Sequence, residues 1–263
     1  MVAKRKKINK FNKKSKKAQV TIFIILAMII VVAIILLFLL FKKPNLQVED
    51  IENPQTYISS CVRDFTEEAI NILSEQGGDI DPSPSTMFRG RNVTYTCYNA
   101  NFYMPCIMQR PDLSSHIENE ITNYISPKTE NCFKALKAKL EQKNYDIEMG
   151  SMELQTKLQT GQVVIDIKRD FKMTKREETR RFDRFNSVIN SPINELAEVA
   201  GEISNQEARY CNFDILGFMI FYTEFDIDKY RPGEGYVIYQ LRHIQTNEGF
   251  VFATKSCALP PGF

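Results

Sequence analysis

Apolar residues change their spacing several times along this chain, and each spacing predicts a different element. Residues 20–41 run for 22 positions without a charge, a glycine or a proline. At about 1.5 Å of rise per residue, a helix of that length spans roughly 33 Å, enough for a bilayer core of about 30 Å. A helix apolar on every face suits lipid better than a protein interior. A cleaved secretory signal would carry a shorter apolar run, about 7–15 residues, followed by small residues at a cleavage site. Here the run ends Leu39-Leu40-Phe41-Lys42. The pattern predicts a tail over 1–18, a transmembrane helix over 19–41, a polar linker over 42–56 and a domain over 57–263, with a subdivision near 145–150.

Within the domain, Ile58, Cys61, Val62, Phe65, Ala69, Ile70 and Leu73 recur at three- and four-residue spacings. They predict a helix over 57–76, stopped by Gly77-Gly78. Asp81-Pro82-Ser83-Pro84 breaks regular structure, and 92–98 reads as a short strand. Leu113, Ile117, Ile121 and Tyr124 form one helical stripe. Ser126-Pro127 predicts the start of a second helix, with Phe133, Leu136 and Leu140 facing inward.

After Gly150 the period falls to two. Met152, Leu154, Thr156 and Leu158 alternate with polar neighbours, Thr160-Gly161 turns the chain, and Val163, Ile165, Ile167, Phe171 and Met173 share a face broken by Arg169. This predicts an antiparallel hairpin with one wet face. Residues 178–188 add a third strand, and the spacing of Phe182 and Phe185 hints at a bulge. Pro192 opens a helix capped by Ser191. Further strands are predicted over 219–227, 236–243 and 250–255. The resulting fold class is α+β: an N-terminal transmembrane helix, then an ectodomain of helices packed on an antiparallel sheet.

Charge orients this picture. Eleven of the 34 basic residues lie in residues 1–43, where no acid occurs, and all 32 acids lie beyond them. Nine basic residues precede the apolar run and two, Lys42 and Lys43, follow it. Excess Lys/Arg marks the cytoplasmic side, so the N-terminus stays inside and the domain lies outside the cell membrane. The expected partners are the lipid bilayer through residues 20–41 and anionic lipid at the basic tail. An unknown extracellular protein, or self-association, is expected at the domain, and no nucleic acid.

Lys16-Lys17-Ala18-Gln19-Val20-Thr21, followed by the apolar run, resembles the class III signal of archaeal type IV pilin-like proteins. The resemblance implies cleavage between Ala18 and Gln19. Many such pilins carry Glu five residues into the mature chain, where this one has Phe23. The whole chain also resembles uncharacterised single-pass surface proteins of small archaea. They share a Cys-bearing first helix after the anchor and a sheet ending near Cys257-Ala258-Leu259-Pro260-Pro261. That likeness implies a location and no chemistry.

The six cysteines, Cys61, Cys97, Cys106, Cys132, Cys211 and Cys257, all fall in the external domain, where an even count predicts disulfides. Of the 15 pairings that six cysteines allow, the favoured set is Cys97–Cys106 closing a short loop and Cys61–Cys132 tying two helices, which leaves Cys211–Cys257. Met104-Pro105-Cys106-Ile107-Met108 offers soft sulfur to Cu(I), but a pinned core segment is the simpler expectation. Glu224, Asp226 and Asp228, or Asp79 and Asp81, offer oxygens to calcium without a twelve-residue calcium loop. No metal or other cofactor is therefore expected.

His116 and His243 are the only histidines, with no nucleophile motif beside them, and His116 reads as a solvated helix residue. No phosphate-binding glycine loop occurs, so no catalytic residue is assigned. Asn92-Val93-Thr94 is a glycosylation sequon in an expected loop. Arg176, Arg180, Arg181 and Arg184 are interleaved with acids and read as a self-paired hairpin tip. The leading expectation is an anchored surface interaction or structural protein. A pilin-like filament subunit and a membrane-tethered enzyme are the alternatives.

Overall fold

The computed structural model describes residues 26, 28–32, 53–232 and 235–260. Most of the predicted span, the linker up to residue 52, and the cleavage residues Ala18 and Gln19 lie outside the described residues. Leu26 and residues 28–32 are helical. Among the described residues, no helix is long and apolar enough to cross a membrane. The chain divides into two compact units, Met1–Glu49 and Asp50–Phe263. The second holds the α+β domain, and the change of pattern at 145–150 falls inside it.

In chain order the domain runs α1 (Pro54–Gln76), β1 (Ser85–Phe88), β2 (Arg91–Tyr98), β3 (Ile107–Met108), α2 (Leu113–Gln142) and β4 (Asp146–Gln159). It continues with β5 (Gln162–Lys175), β6 (Glu178–Asn190), α3 (Ile193–Tyr210), α4 (Ile215–Phe221), β7 (Phe225–Tyr230), β8 (Val237–His243) and β9 (Gly249–Lys255). The strands form two sheets. β4-β5-β6 is an antiparallel meander, and the other sheet has the order β1-β2-β9-β8-β7, with β3 also paired to β2. Every pairing is antiparallel except β2 with β9.

The helices lie against both sheets. α1 packs on α2 and touches β6 of the meander as well as β2 and β9 of the larger sheet. Its buried stripe, Ile58, Val62, Ala69, Ile70 and Leu73, is the one that the spacing predicts. Gly77 ends the helix at φ 79°, a left-handed conformation that a side chain would strain. One core joins these residues to Ile121, Phe133 and Leu136 of α2, Ile165 and Phe171 of β5, Phe185 of β6, and Tyr239, Leu241 and Phe252 of the larger sheet. Phe133 meets Phe185 edge-on at 5.0 Å between centroids.

The meander keeps the predicted alternation. Val163, Ile165, Ile167, Phe171 and Met173 are all buried, and Gly161 turns the chain at φ 70°. The β5–β6 register shifts between Lys168 and Phe171, where Phe182 and Phe185 both turn toward the core.

Three local expectations change. The two helices expected around Ser126-Pro127 are one, because the buried stripe Ile117, Ile121, Ile125, Thr129, Cys132, Phe133, Leu136 and Leu140 runs through without a break. Pro127 sits on the exposed side, where water can take the backbone bond that the ring removes. Ser191 does not cap α3; its hydroxyl donates to Glu248 Oε2 at 2.6 Å, and no side chain caps that helix. The strand expected over 219–227 is α4 up to Phe221, and β7 starts at Phe225. Asp214 nucleates that helix by accepting from Gly217 N at 3.1 Å, a local bond that outweighs the β-branched residues after it.

Candidate functional site

Two features of the domain exceed what folding requires: an apolar row left in water and a buried polar cluster. The row belongs to α4, whose sequence Ile-Leu-Gly-Phe-Met-Ile-Phe has no polar side chain. Ile215, Phe218 and Met219 pack against the core. Leu216, Ile220 and Phe221 point away from it, at 72%, 72% and 82% exposure. Tyr222 stacks on Phe218 at 4.3 Å, stiffening the end of the row.

A second apolar display lies in the loop closed by Cys97–Cys106, where Phe102, Tyr103 and Met104 are exposed. Tyr103 N donates to Ala258 O at 2.9 Å and Cys257 N donates to Met104 O at 2.8 Å. Cys257 is itself bonded to Cys211, at the end of α3. Both displays are thereby held on stapled backbone.

The polar cluster gathers around Asp79, which follows the glycine pair after α1 and has a side chain only 5% exposed. His116, in the first turn of α2, places Nε2 2.6 Å from Asp79 Oδ1. Arg110 reaches the same oxygen from Nε at 3.3 Å and from its terminal nitrogen at 3.1 Å. Its Nε also donates to His116 Nε2 at 3.2 Å. Glu120, one turn beyond His116, accepts from Ile80 N at 2.9 Å.

Burial works against the charge on Asp79, but His116, Thr94 and Arg110 outweigh it and hold the carboxyl below the ordinary aspartate value. Asp79 Oδ2 and the neighbouring Thr94 Oγ1 nevertheless make no hydrogen bond of normal geometry, so the Thr94 hydroxyl favours the charge without fully satisfying that oxygen. Donor atoms of Asp79, His116 and Glu120 lie within 4.8 Å of one another, the spacing of a group that could hold a metal ion. His116 is thus no simple solvated residue: the fold of α1 back onto α2 brings Asp79 to it.

Another buried ionic group lies between α3 and the larger sheet. Glu207 accepts from Lys229 Nζ at 3.1 Å and from the Tyr239 hydroxyl. Burial first, then the Glu207 carboxylate, push the Tyr239 phenol upward, so it acts as a donor throughout the usual pH range. This group faces the core and serves packing.

The remaining residues singled out by sequence are dispersed. The cysteines pair Cys61–Cys132, Cys97–Cys106 and Cys211–Cys257. A bonded Cys106 has no thiolate to offer copper, which removes the soft-metal option at Met104 and Met108. Asp226 pairs with Arg242, and Asp228 accepts from the Tyr230 hydroxyl at 3.4 Å, so the acids of β7 are used within their sheet. Asp81 is exposed and apart from the Asp79 donor group. Asn92 is exposed and stands in strand β2, which matches the strand expected over 92–98 and not the loop expected around its sequon. Arg181 and Arg184 pair across the ladder with Asp170 and Asp166, rather than with the acids beside them in sequence. His243 contacts Thr246 at 3.1 Å and the Phe225 ring, and it is not part of the Asp79 donor group.

Arg110, Glu120 and the α4 row were not predicted. The spacing of His116 and Glu120, four residues apart on a predicted helix, places them on one face; nothing local announces Asp79. No protein-family model matches the chain, and no curated protein or solved structure was found to be similar to it.

Proposed function

We propose that the chain is a membrane-anchored cell-surface interaction protein, which displays its α+β domain outside the cell and grips an extracellular protein through the outer row of α4. The observation that carries this reading is the exposure of Leu216, Ile220 and Phe221 on a helix whose other side is packed. Soluble domains seldom leave contiguous large apolar side chains in water without a partner to cover them. Covering each would contribute about 1.5–3 kcal/mol, enough to offset much of the cost of association. The uncharged residues 20–41 behind nine basic residues support the anchor. Three disulfides support an oxidising compartment.

The test is a photo-crosslinking residue placed in turn at Leu216, Ile220 and Phe221 of the full chain in intact cells. Adducts at these positions, absent when the probe replaces exposed Glu202 on α3, are the expected result. An adduct of twice the chain's own mass would assign the row to self-association. No adduct at any of the three, or a domain shielded from protease added to intact cells, would overturn the reading.

A further inference from the structure

We propose that Asp79, His116 and Glu120 form a divalent-cation site of the zinc class, in which the cation takes the place that the Arg110 guanidinium otherwise holds. The proposal stands apart from the interaction surface on α4 and from membrane anchoring, since it concerns other elements of the domain.

The donor set suits such an ion. One imidazole nitrogen and two carboxylates are common zinc ligands, and three protein ligands leave a position for water or a bound group. The carboxylates balance the charge of a dication. Their donor atoms lie within 4.8 Å of one another and of His116. Ligand atoms at about 2.1 Å from a tetrahedral ion stand roughly 3.4 Å apart, so side-chain rotation alone can close the set. His116 and Glu120 share a face of a regular helix, and Asp79 is fixed by burial, so most of the site is preorganised.

The second observation is a buried carboxylate oxygen in this cluster that has no hydrogen-bond partner. His116 Nε2 faces both Asp79 Oδ1 at 2.6 Å and Arg110 Nε at 3.2 Å. With the proton on Nε2 the ring donates to Asp79 Oδ1, and Arg110 Nε is met by that same oxygen at 3.3 Å. Asp79, more than nine-tenths buried, keeps Oδ2 without a partner. A cation in the guanidinium's place displaces the Nε2 proton to take that lone pair, and it draws on carboxylate oxygen that now goes unused.

Arg110 already plays the positive part in the metal-free arrangement. It lies on the irregular segment before α2, with its side chain about a quarter exposed. The groove beside it, lined by Gln109, Asp112, Ser115 and Asn119, gives the guanidinium room to swing out and gives ions a way in. The site therefore exchanges one cation for another, and the α1–β1 connection is tied to α2 in both states.

Calorimetric titration of ZnCl2 into chelator-treated full chain in detergent tests this, with Co2+ absorption as a second readout of coordination. One equivalent should bind. His116→Ala and Glu120→Gln should each weaken binding by at least about tenfold. Arg110→Gln should tighten it by about tenfold, since it removes a unit positive charge that competes for the same carboxylate. Circular dichroism and a thiol count establish that each variant is folded and disulfide-bonded. Folded wild type and folded Arg110→Gln that both fail to take up Zn2+ would overturn the proposal. Uptake unchanged in both His116→Ala and Glu120→Gln would overturn it too, by placing the metal elsewhere.

Discussion

Arg169 interrupts the apolar face of β5 in the sequence, yet its side chain is only 6% exposed. It keeps to the buried face and donates to Glu130 of α2 at 2.6 Å and 3.3 Å, with its guanidinium 4.7 Å from the Phe133 ring centre. The pair bolts the meander to the long helix. Arg169 holds the Glu130 carboxyl below its ordinary value, mainly by direct hydrogen bonding. Glu130→Ala would strand a buried guanidinium whose Nε already lacks a partner. The expected loss is about 3 kcal/mol, at the low end for a broken buried pair because Glu130 keeps part of its side chain in water. Urea denaturation of the variant measures it.

Asp79 gives a pH dependence of known sign. Its folded pKa is depressed, so the stability it contributes is present above the unfolded value of about 3.9 and is lost as pH falls through the lowered folded value. Denaturant melts between pH 6 and pH 2 should show stability falling at the acid end of that range. Asp79→Asn should flatten that slope while lowering stability at neutral pH.

At the scale of elements, α2 shows a local rule yielding to a longer pattern. Proline inside a helix costs about 3 kcal/mol or more, yet 30 residues remain helical because their buried stripe is continuous. Pro127→Ala restores a backbone bond on the wet side and gives up some rigidity of the unfolded chain. The net expectation is a gain of about 1–2 kcal/mol, read as a higher denaturant midpoint.

The same competition decides what could be read in advance. α1, the β4–β5–β6 meander, β8 and β9 were legible because one apolar period dominates each of them, in β5 even across Arg169. α4 was not: a run of Ile, Leu, Phe and Met with no polar partner has no period to read, and only the Asp214 bond to Gly217 makes it a helix. The Asp79 cluster was half legible. His116 and Glu120 share a helix, whereas Asp79 and Arg110 reach them through tertiary packing that no spacing encodes.

At the scale of the molecule, the staples differ in reach. Cys61–Cys132 spans 71 residues and Cys97–Cys106 spans 9. On chain-entropy grounds the first is worth about 4.4 kcal/mol and the second about 2.6 kcal/mol. Replacing each pair with alanines should therefore cost more for the helix-to-helix bond, and thermal melts of the two double variants test the order. A reversed order would mean that the short bond chiefly supports the native Phe102–Met104 loop, whose backbone also leans on Cys257 and Ala258.

The parallel pairing of β2 with β9 sets a timetable for synthesis. β9 lies between β2 and β8, although it is the last strand in chain order. A chain made from its N-terminus exposes the open flank of β2 until residues 249–255 arrive. At about 5–20 residues per second that delay is roughly 8–30 s. Throughout it, β2 has β1 and β3 for company but not its sheet-mate in the finished fold. A ribosomal pause placed just before β9 should prolong that exposed interval and raise aggregation of the newborn chain, whereas a pause after β9 has emerged should not.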